Sequence, residues 1–291
     1  MRITLLIFIS SILFSSCNTI VFILAKKPSH KISAINFENN TKPNYAFLYP
    51  DTLGDLFFRQ ISMENNLLEL VKGVNTDKER ALVILNWTHS QWSHNGSNNP
   101  SKPDALTILK EAKEGNNFRC VEYGVVAKSA LLSIGMKARG LGLQTKDVET
   151  CKLGAGHYLA EVWLSELKKW ALMDGQFNIM PTLQGLPLSA VEFQRAIINK
   201  EPFVLINSKG EISEKEYTDY LKFIPHYLFY FTTNFDQRHV SSSSIYKVNG
   251  KSGLMLVPIN AKKPVVFQKK YSNNDFEYTN ALNDFYKSPE L

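Results

Sequence analysis

The sequence predicts an α+β protein in which a central cysteine-bearing helix packs on an antiparallel sheet. Three observations predict it. Val121–Ile134 has the length and spacing of a mostly buried helix and stops at Gly135, a residue suited to the left-handed turn that ends helices. His157–Leu164 alternates, with Tyr158, Ala160, Val162 and Leu164 on one face and Leu159, Glu161 and Trp163 on the other. After a turn at Ser165–Lys168, Lys169–Asp174 returns as the second arm of a hairpin, and Lys137–Gln144 supplies a further strand.

The chain opens on an apolar leader. Arg2 precedes the apolar run Ile3–Phe14, and the small residues Ser15 and Ser16 precede Cys17. This resembles a bacterial lipoprotein signal, with Cys17 as the lipidated residue. The other reading is an uncleaved anchor from Ile3 to Ala25, long enough to span hydrocarbon. Either reading places the protein at a membrane in the cell envelope, held by an N-terminal lipid or anchor. Asn39, Asn86 and Asn95 begin Asn-x-Ser/Thr triplets, which carry no meaning in a bacterial lipoprotein.

Residues 26–75 read as a polar tether, Lys26–Pro50, followed by a helical pattern over Leu53–Val71. Thr76-Asp77-Lys78-Glu79 is a capping box that starts a helix running to about Trp92. The Asn- and Pro-rich stretch His94–Pro103 is a loop, and Asp104–Glu114 is a short helix stopped by Gly115. Residues 76–186 form the expected core. Residues 187–291 form an extension with helices at Ser189–Asn199 and Glu214–Phe223. An aromatic segment, Tyr227–Phe231, is expected in the core, with a substrate shelf as the other use. Strand-like runs at Ile245–Val248, Leu254–Pro258 and Val265–Gln268 suggest a small sheet packed beside the core.

The chain has 291 residues, of which 44% are hydrophobic, enough for a sizeable core. Its net charge of +6 comes from scattered basic residues, with no basic stripe interleaved with aromatics and no nucleic-acid motif. The three cysteines, Cys17, Cys120 and Cys151, make no disulfide framework. Paired Cys-x-x-Cys or His-x-x-x-His spacing is missing, so no metal is expected, and no cofactor is required.

Cys120 falls at the start of the buried helix, where the helix dipole favours thiolate and unpaired N–H groups can hold an oxyanion. His157 begins one hairpin strand and Asp174 ends the other, so their side chains lie at the same end. A thiol, a base and a group that orients the base are the parts of an activated nucleophile. Cys151 reads as a spare thiol. His89, His94, His226 and His239 are rival bases with nothing local to orient them.

At these residues the chain resembles the transglutaminase-like superfamily, within the papain-like cysteine enzymes. Family members place Cys at the start of a central helix, His at the start of a following strand and Asp at the end of the next. Here Cys120, His157 and Asp174 fill those positions, and the resemblance spans roughly Asp77–Phe177. It implies a papain-like core and a Cys-His-Asp site for thiol-dependent acyl transfer on peptide or amide bonds. A protease-like hydrolase acting on a peptide or protein substrate is the favoured expectation. An amine-accepting transglutaminase and a non-catalytic envelope binding protein are the alternatives. The chain departs from the family in Asn117-Phe118-Arg119, where a Gly-rich approach is usual, and in Gly175, where Pro is common. Gln91 and Trp92 stand by position as donors to an oxyanion.

Overall fold

Local capping chemistry sets the helix starts. The structure, a computed structural model, describes residues 34–39, 45–51 and 54–289. The leader, Cys17 and the Ile3–Ala25 run lie outside the described residues. Among the described residues no helix is long and apolar enough to cross a membrane. Helix α1 (Leu56–Glu64) is capped by Asp55, whose carboxylate accepts from the Phe57 N–H at 2.9 Å. Helix α2 (Leu67–Leu70) follows only after a break, because Asn66 sits in the left-handed region at φ 51°. The single helical pattern expected over Leu53–Val71 is therefore two helices, split where an Asn pair tolerates that conformation.

Helix α3 (Asp77–His89) starts at Thr76, whose hydroxyl accepts from the Glu79 N–H at 3.2 Å. It ends at His89 rather than Trp92, which leaves Gln91 and Trp92 in the following loop. Helix α4 (Ala105–Lys113) is capped by Asp104 and stopped at Gly115, φ 97°. Helix α5 (Cys120–Ser133) starts at Cys120 itself and stops before Gly135, φ 86°.

The strands that follow build one mixed sheet. Strands β1 (Ala138–Gln144), β2 (Gly156–Leu164) and β3 (Lys169–Met173) are successive antiparallel neighbours. The C-terminal third does not make the separate small sheet expected for it. Its strands β8 (Tyr230–Asn234), β9 (Gly253–Leu256) and β12 (Phe276–Thr279) extend the same sheet, in the order β12-β9-β8-β1-β2-β3. Only the β9–β12 pair is parallel. Ile245–Val248 is not a strand; Val248 makes an isolated bridge to Lys251 around the Asn249-Gly250 turn.

A second, four-stranded sheet has the order β5-β4-β6-β7, from β4 (Met180–Leu183), β5 (Leu186–Pro187), β6 (Phe203–Asn207) and β7 (Gly210–Glu211). Strands β10 (Val266–Phe267) and β11 (Tyr271–Ser272) form a short hairpin. Helices α6 (Ala190–Asn199), α7 (Glu214–Phe223) and α8 (Leu282–Phe285) come from the C-terminal third.

Helix α5 is buried on nearly every side because it lies between the sheet and the other N-terminal helices. Ile84, Ile108, Val126, Leu131 and Val162 share that core. The opposite sheet face packs Leu141, Leu159 and Leu172 against Phe193, Tyr220, Phe231 and Phe235. Part of the expected tether belongs to this layer: Ile35, Phe37 and Phe47 are buried, and Glu38 and Leu48 bridge to Ala281 and Asp236. The described residues form one compact unit.

A fully buried ion pair ties the C-terminus to this face. Arg139 on β1 and Glu161 on β2 are cross-strand partners, with Nη2 and Oε2 2.6 Å apart. Arg139 also donates to the Phe285 carbonyl at 2.6 Å and lies over the rings of Trp170 and Phe285. Glu161 accepts from the Ala190 N–H at 3.0 Å and from the Tyr286 hydroxyl at 3.2 Å. Both charges are thus fully partnered, which burial demands.

Candidate active site

The start of α5 is built without a conventional capping side chain. Arg119 occupies the cap position and cannot accept a hydrogen bond there. Glu122 reaches back instead, its carboxylate accepting from the Arg119 backbone N–H at 3.1 Å and from the guanidinium at 2.7 Å. This fixes the first helical turn and leaves Cys120 at the positive end of the helix dipole. Cys120 is half-buried and opens into a cleft of about 390 Å³.

His157 is buried at the start of β2, and its Nε2 lies 2.8 Å from Asp174 Oδ2. Cys120, His157 and Tyr158 line the same cleft, and the imidazole and the Tyr158 backbone N–H both act to lower the thiol. With Nε2 engaged by Asp174, the nitrogen left for the thiol is Nδ1. The β2–β3 register pairs Ala160 with Met173, so Asp174 follows directly where β3 ends, beside the start of β2. The structure places Cys120 and His157 on one cleft, with Asp174 hydrogen-bonded to the imidazole behind it.

Asp174 is fully buried and its carboxylate is held from several sides. Oδ1 accepts from the Gln176 and Phe177 N–H groups at 3.1 and 3.4 Å, and Oδ2 accepts from the Tyr220 hydroxyl at 3.1 Å as well as from His157. Tyr220 comes from α7, and no sequence signal near Asp174 points to it. The rings of Phe177, Phe223 and Tyr227 surround the imidazole, with centroids 6.2, 5.2 and 5.8 Å away. The aromatic segment at Tyr227 thus serves the core and walls the histidine at once.

The electrostatics follow from these contacts. Burial raises the Cys120 thiol, but the hydrogen bond and charge of His157 and the Tyr158 N–H outweigh it, so the thiol lies below its ordinary range. Burial works against a charged His157, but the Asp174 charge and hydrogen bond and the Cys120 contact raise it to about 10. Both shifts favour a thiolate–imidazolium pair. Burial and the Asp174 charge push the Tyr220 hydroxyl well up, so it stays a donor.

Two of the rival histidines, His89 and His239, are engaged with other partners. His89 Nδ1 is within 3.1 Å of the Gln176 carbonyl, and His239 stacks on Phe57 with ring centroids 3.6 Å apart. His89 and His94 line a second cleft of about 570 Å³, together with Gln91, Trp92 and Asn117. Gln91 and Trp92 differ sharply. The Gln91 amide donates to the Trp87 carbonyl at 2.8 Å. The Trp92 indole N–H is buried with no hydrogen-bond partner among the described residues, and its ring lies 4.4 Å from that of Tyr123 in the first turn of α5. The Tyr123 hydroxyl holds the Trp92 carbonyl at 2.7 Å. Cys151 is a free thiol donating to the Leu153 carbonyl. Among the described residues no group of His, Cys, Asp and Glu is arranged to hold a metal ion.

Residues 66–175 match the model of the transglutaminase-like superfamily. That segment is similar to a transglutaminase-like core. It contains α2 to β3 and ends one residue after Asp174. No curated protein matches the sequence. Among solved structures, the chain is similar to a "putative cysteine protease" of Cytophaga hutchinsonii, at 12% identity and TM-score 0.34, over 43% of this chain and 40% of that one. It is also similar to red sea bream transglutaminase, at 14% identity and TM-score 0.29, over 49% of this chain and 28% of that one. The chain therefore spans less than half the length of either. The α+β class expected from the sequence stands, with the central Cys helix on the sheet as expected and one parallel strand pair added at the sheet edge.

Proposed function

We propose that the transglutaminase-like core performs thiol-dependent acyl transfer, with Cys120 as nucleophile, His157 as proton carrier and Asp174 as the group that orients and stabilises the imidazolium. The observation that carries this reading is the placement of Cys120 and His157 on one cleft, with the imidazole hydrogen-bonded to the buried Asp174. The Cys120 thiolate adds to an amide or peptide carbonyl, forming a C–S bond. The His157 Nδ1 proton passes to the leaving nitrogen as the C–N bond breaks, and a thioester remains on Cys120. His157 then takes a proton from water or an amine, which attacks the thioester and frees the thiolate. The backbone N–H at the start of α5 is one donor for the oxyanion, and the unpartnered Trp92 indole N–H, whose ring packs on Tyr123 of the same helical turn, is the side chain proposed as a second.

Water as acceptor makes the protein a hydrolase, and hydrolysis of peptide bonds in the cell envelope is the reading favoured here. The envelope location rests on the apolar segment before residue 26. The test is incubation of the full-length chain with a short-peptide library in ¹⁸O-labelled water, with and without an added primary amine. Product acids carrying ¹⁸O support hydrolysis; amine adducts with little ¹⁸O would replace it by transfer. Turnover that persists in Cys120→Ser would overturn the acyl-transfer reading.

A further inference from the structure

The cleft into which Cys120 opens is walled by residues that lie beyond the matched core. Phe267, Tyr271 and Asn273 of the β10–β11 hairpin form one side, and Thr232 and Asn234 of β8 contribute to the floor. The hairpin is fixed firmly. The Asn273 and Gln144 side-chain amides bond each other reciprocally at 3.0 and 3.3 Å, and both residues are buried. The Gln268 N–H donates to the Val148 carbonyl at 2.8 Å. Phe267 presses on Gly156, the residue before His157, where an added Cβ would meet its ring at 2.9 Å. The floor is equally set. Tyr158 lies over Gly124 and Gly140, and a Cβ at either glycine would collide with its ring or hydroxyl.

Apart from Cys120 and His157, every side chain lining this cleft is neutral near pH 7. A charged ligand group placed there loses water and meets no counter-charge, which is costly. An aromatic or aliphatic group meets the Phe267 and Tyr271 rings instead. We propose that this cleft is the acyl-donor groove and that it selects a peptide whose side chain beside the reacting carbonyl is uncharged and apolar, with Phe267 and Tyr271 as the residues that set this preference. The inference rests on the reading of Cys120 as the nucleophile.

The probes that test it are N-acetyl aminoacyl chloromethyl ketones carrying Phe, Leu, Asp or Lys. Alkylation of Cys120 in the full-length chain is followed by peptide mass mapping, and each rate is divided by the iodoacetamide rate of the same protein. The Phe and Leu probes are expected to react about tenfold or more faster than Asp and Lys. This ratio should collapse in Phe267→Ala and in Tyr271→Ala. Equal normalised rates for all four probes, or an unchanged ratio in both variants, would overturn the groove assignment and leave the nucleophile reading intact. Absence of iodoacetamide alkylation at Cys120 would overturn both.

Discussion

His157 Nε2 and Asp174 Oδ2 stand 2.8 Å apart in a fully buried setting, at the shared end of two neighbouring strands. The Asp174 charge is the largest influence that raises the imidazole against the cost of burial. Asp174→Asn keeps the shape and removes the charge. The raised His157 pKa should then fall, and with it the fraction of thiolate at neutral pH. We expect acyl-transfer rates to drop by roughly 10³- to 10⁴-fold, in line with the loss of the orienting carboxylate in a comparable triad. Peptide turnover by Asp174→Asn within a few-fold of wild type would count against this role.

Tyr220 supports the same carboxylate from α7. Tyr220→Phe removes one hydrogen bond to a buried charge and leaves the ring packing in place. The expected loss of stability is about 1.5–3 kcal/mol. Denaturant unfolding of the variant checks this. Because Asp174 keeps its backbone N–H donors, turnover should fall far less than in Asp174→Asn, and the ratio of the two losses separates support from direct orientation.

The Arg139–Glu161 pair makes a prediction remote from the site. Arg139→Met leaves Glu161 buried beside only neutral partners, and a loss of about 3–5 kcal/mol is expected. Replacing both residues, as Arg139→Met with Glu161→Gln, should recover part of that loss. A double variant less stable than the single one in thermal unfolding would contradict the view that an orphaned charge causes the damage.

The second cleft provides a sharper view of Trp92. Its indole N–H is buried and unpartnered among the described residues, while the Gln91 amide is tied to the end of α3. Trp92→Phe keeps most of the packing and deletes the donor. Loss of one oxyanion donor lowers kcat by roughly 10²- to 10³-fold. Gln91→Ala should leave kcat within a few-fold of wild type. The two variants compared on one peptide substrate distinguish the donors, and the reverse order of effects would reassign the role.

The legible parts of this molecule are those whose causes are local. Thr76 with Glu79, Asp104 with Gly115, and Gly135 after α5 mark helix ends by chemistry within a few residues, and the structure follows them. The β2–β3 hairpin fixes the relation between His157 and Asp174 within one turn of chain, so that pair was visible too. What stayed hidden is non-local. The edge of β1 opposite β2 is filled by β8, and Gly142 faces Thr232 across 90 residues of sequence. Tyr227–Phe231 reads as an aromatic core segment and not as a strand, and the strand-like runs after it name no neighbour, hence the separate sheet expected for the C-terminal third. Tyr220 on α7 and Phe267 on the β10–β11 hairpin reach the site by tertiary packing, with no motif to announce them. Gly140 and Gly142 likewise make room for side chains brought in from other strands, Tyr158 and Thr232.

The central claim is that Cys120 is held as a thiolate by His157. Alkylation by iodoacetamide as a function of pH, resolved by residue with peptide mass mapping, tests it most directly. Because the thiolate is the reactive form and its pKa is lowered, the Cys120 rate should rise through a midpoint below the ordinary thiol value of about 8.5. His157→Ala should return that midpoint upward. A Cys120 midpoint at or above about 8.5 in the wild type, unmoved by His157→Ala, would contradict the account.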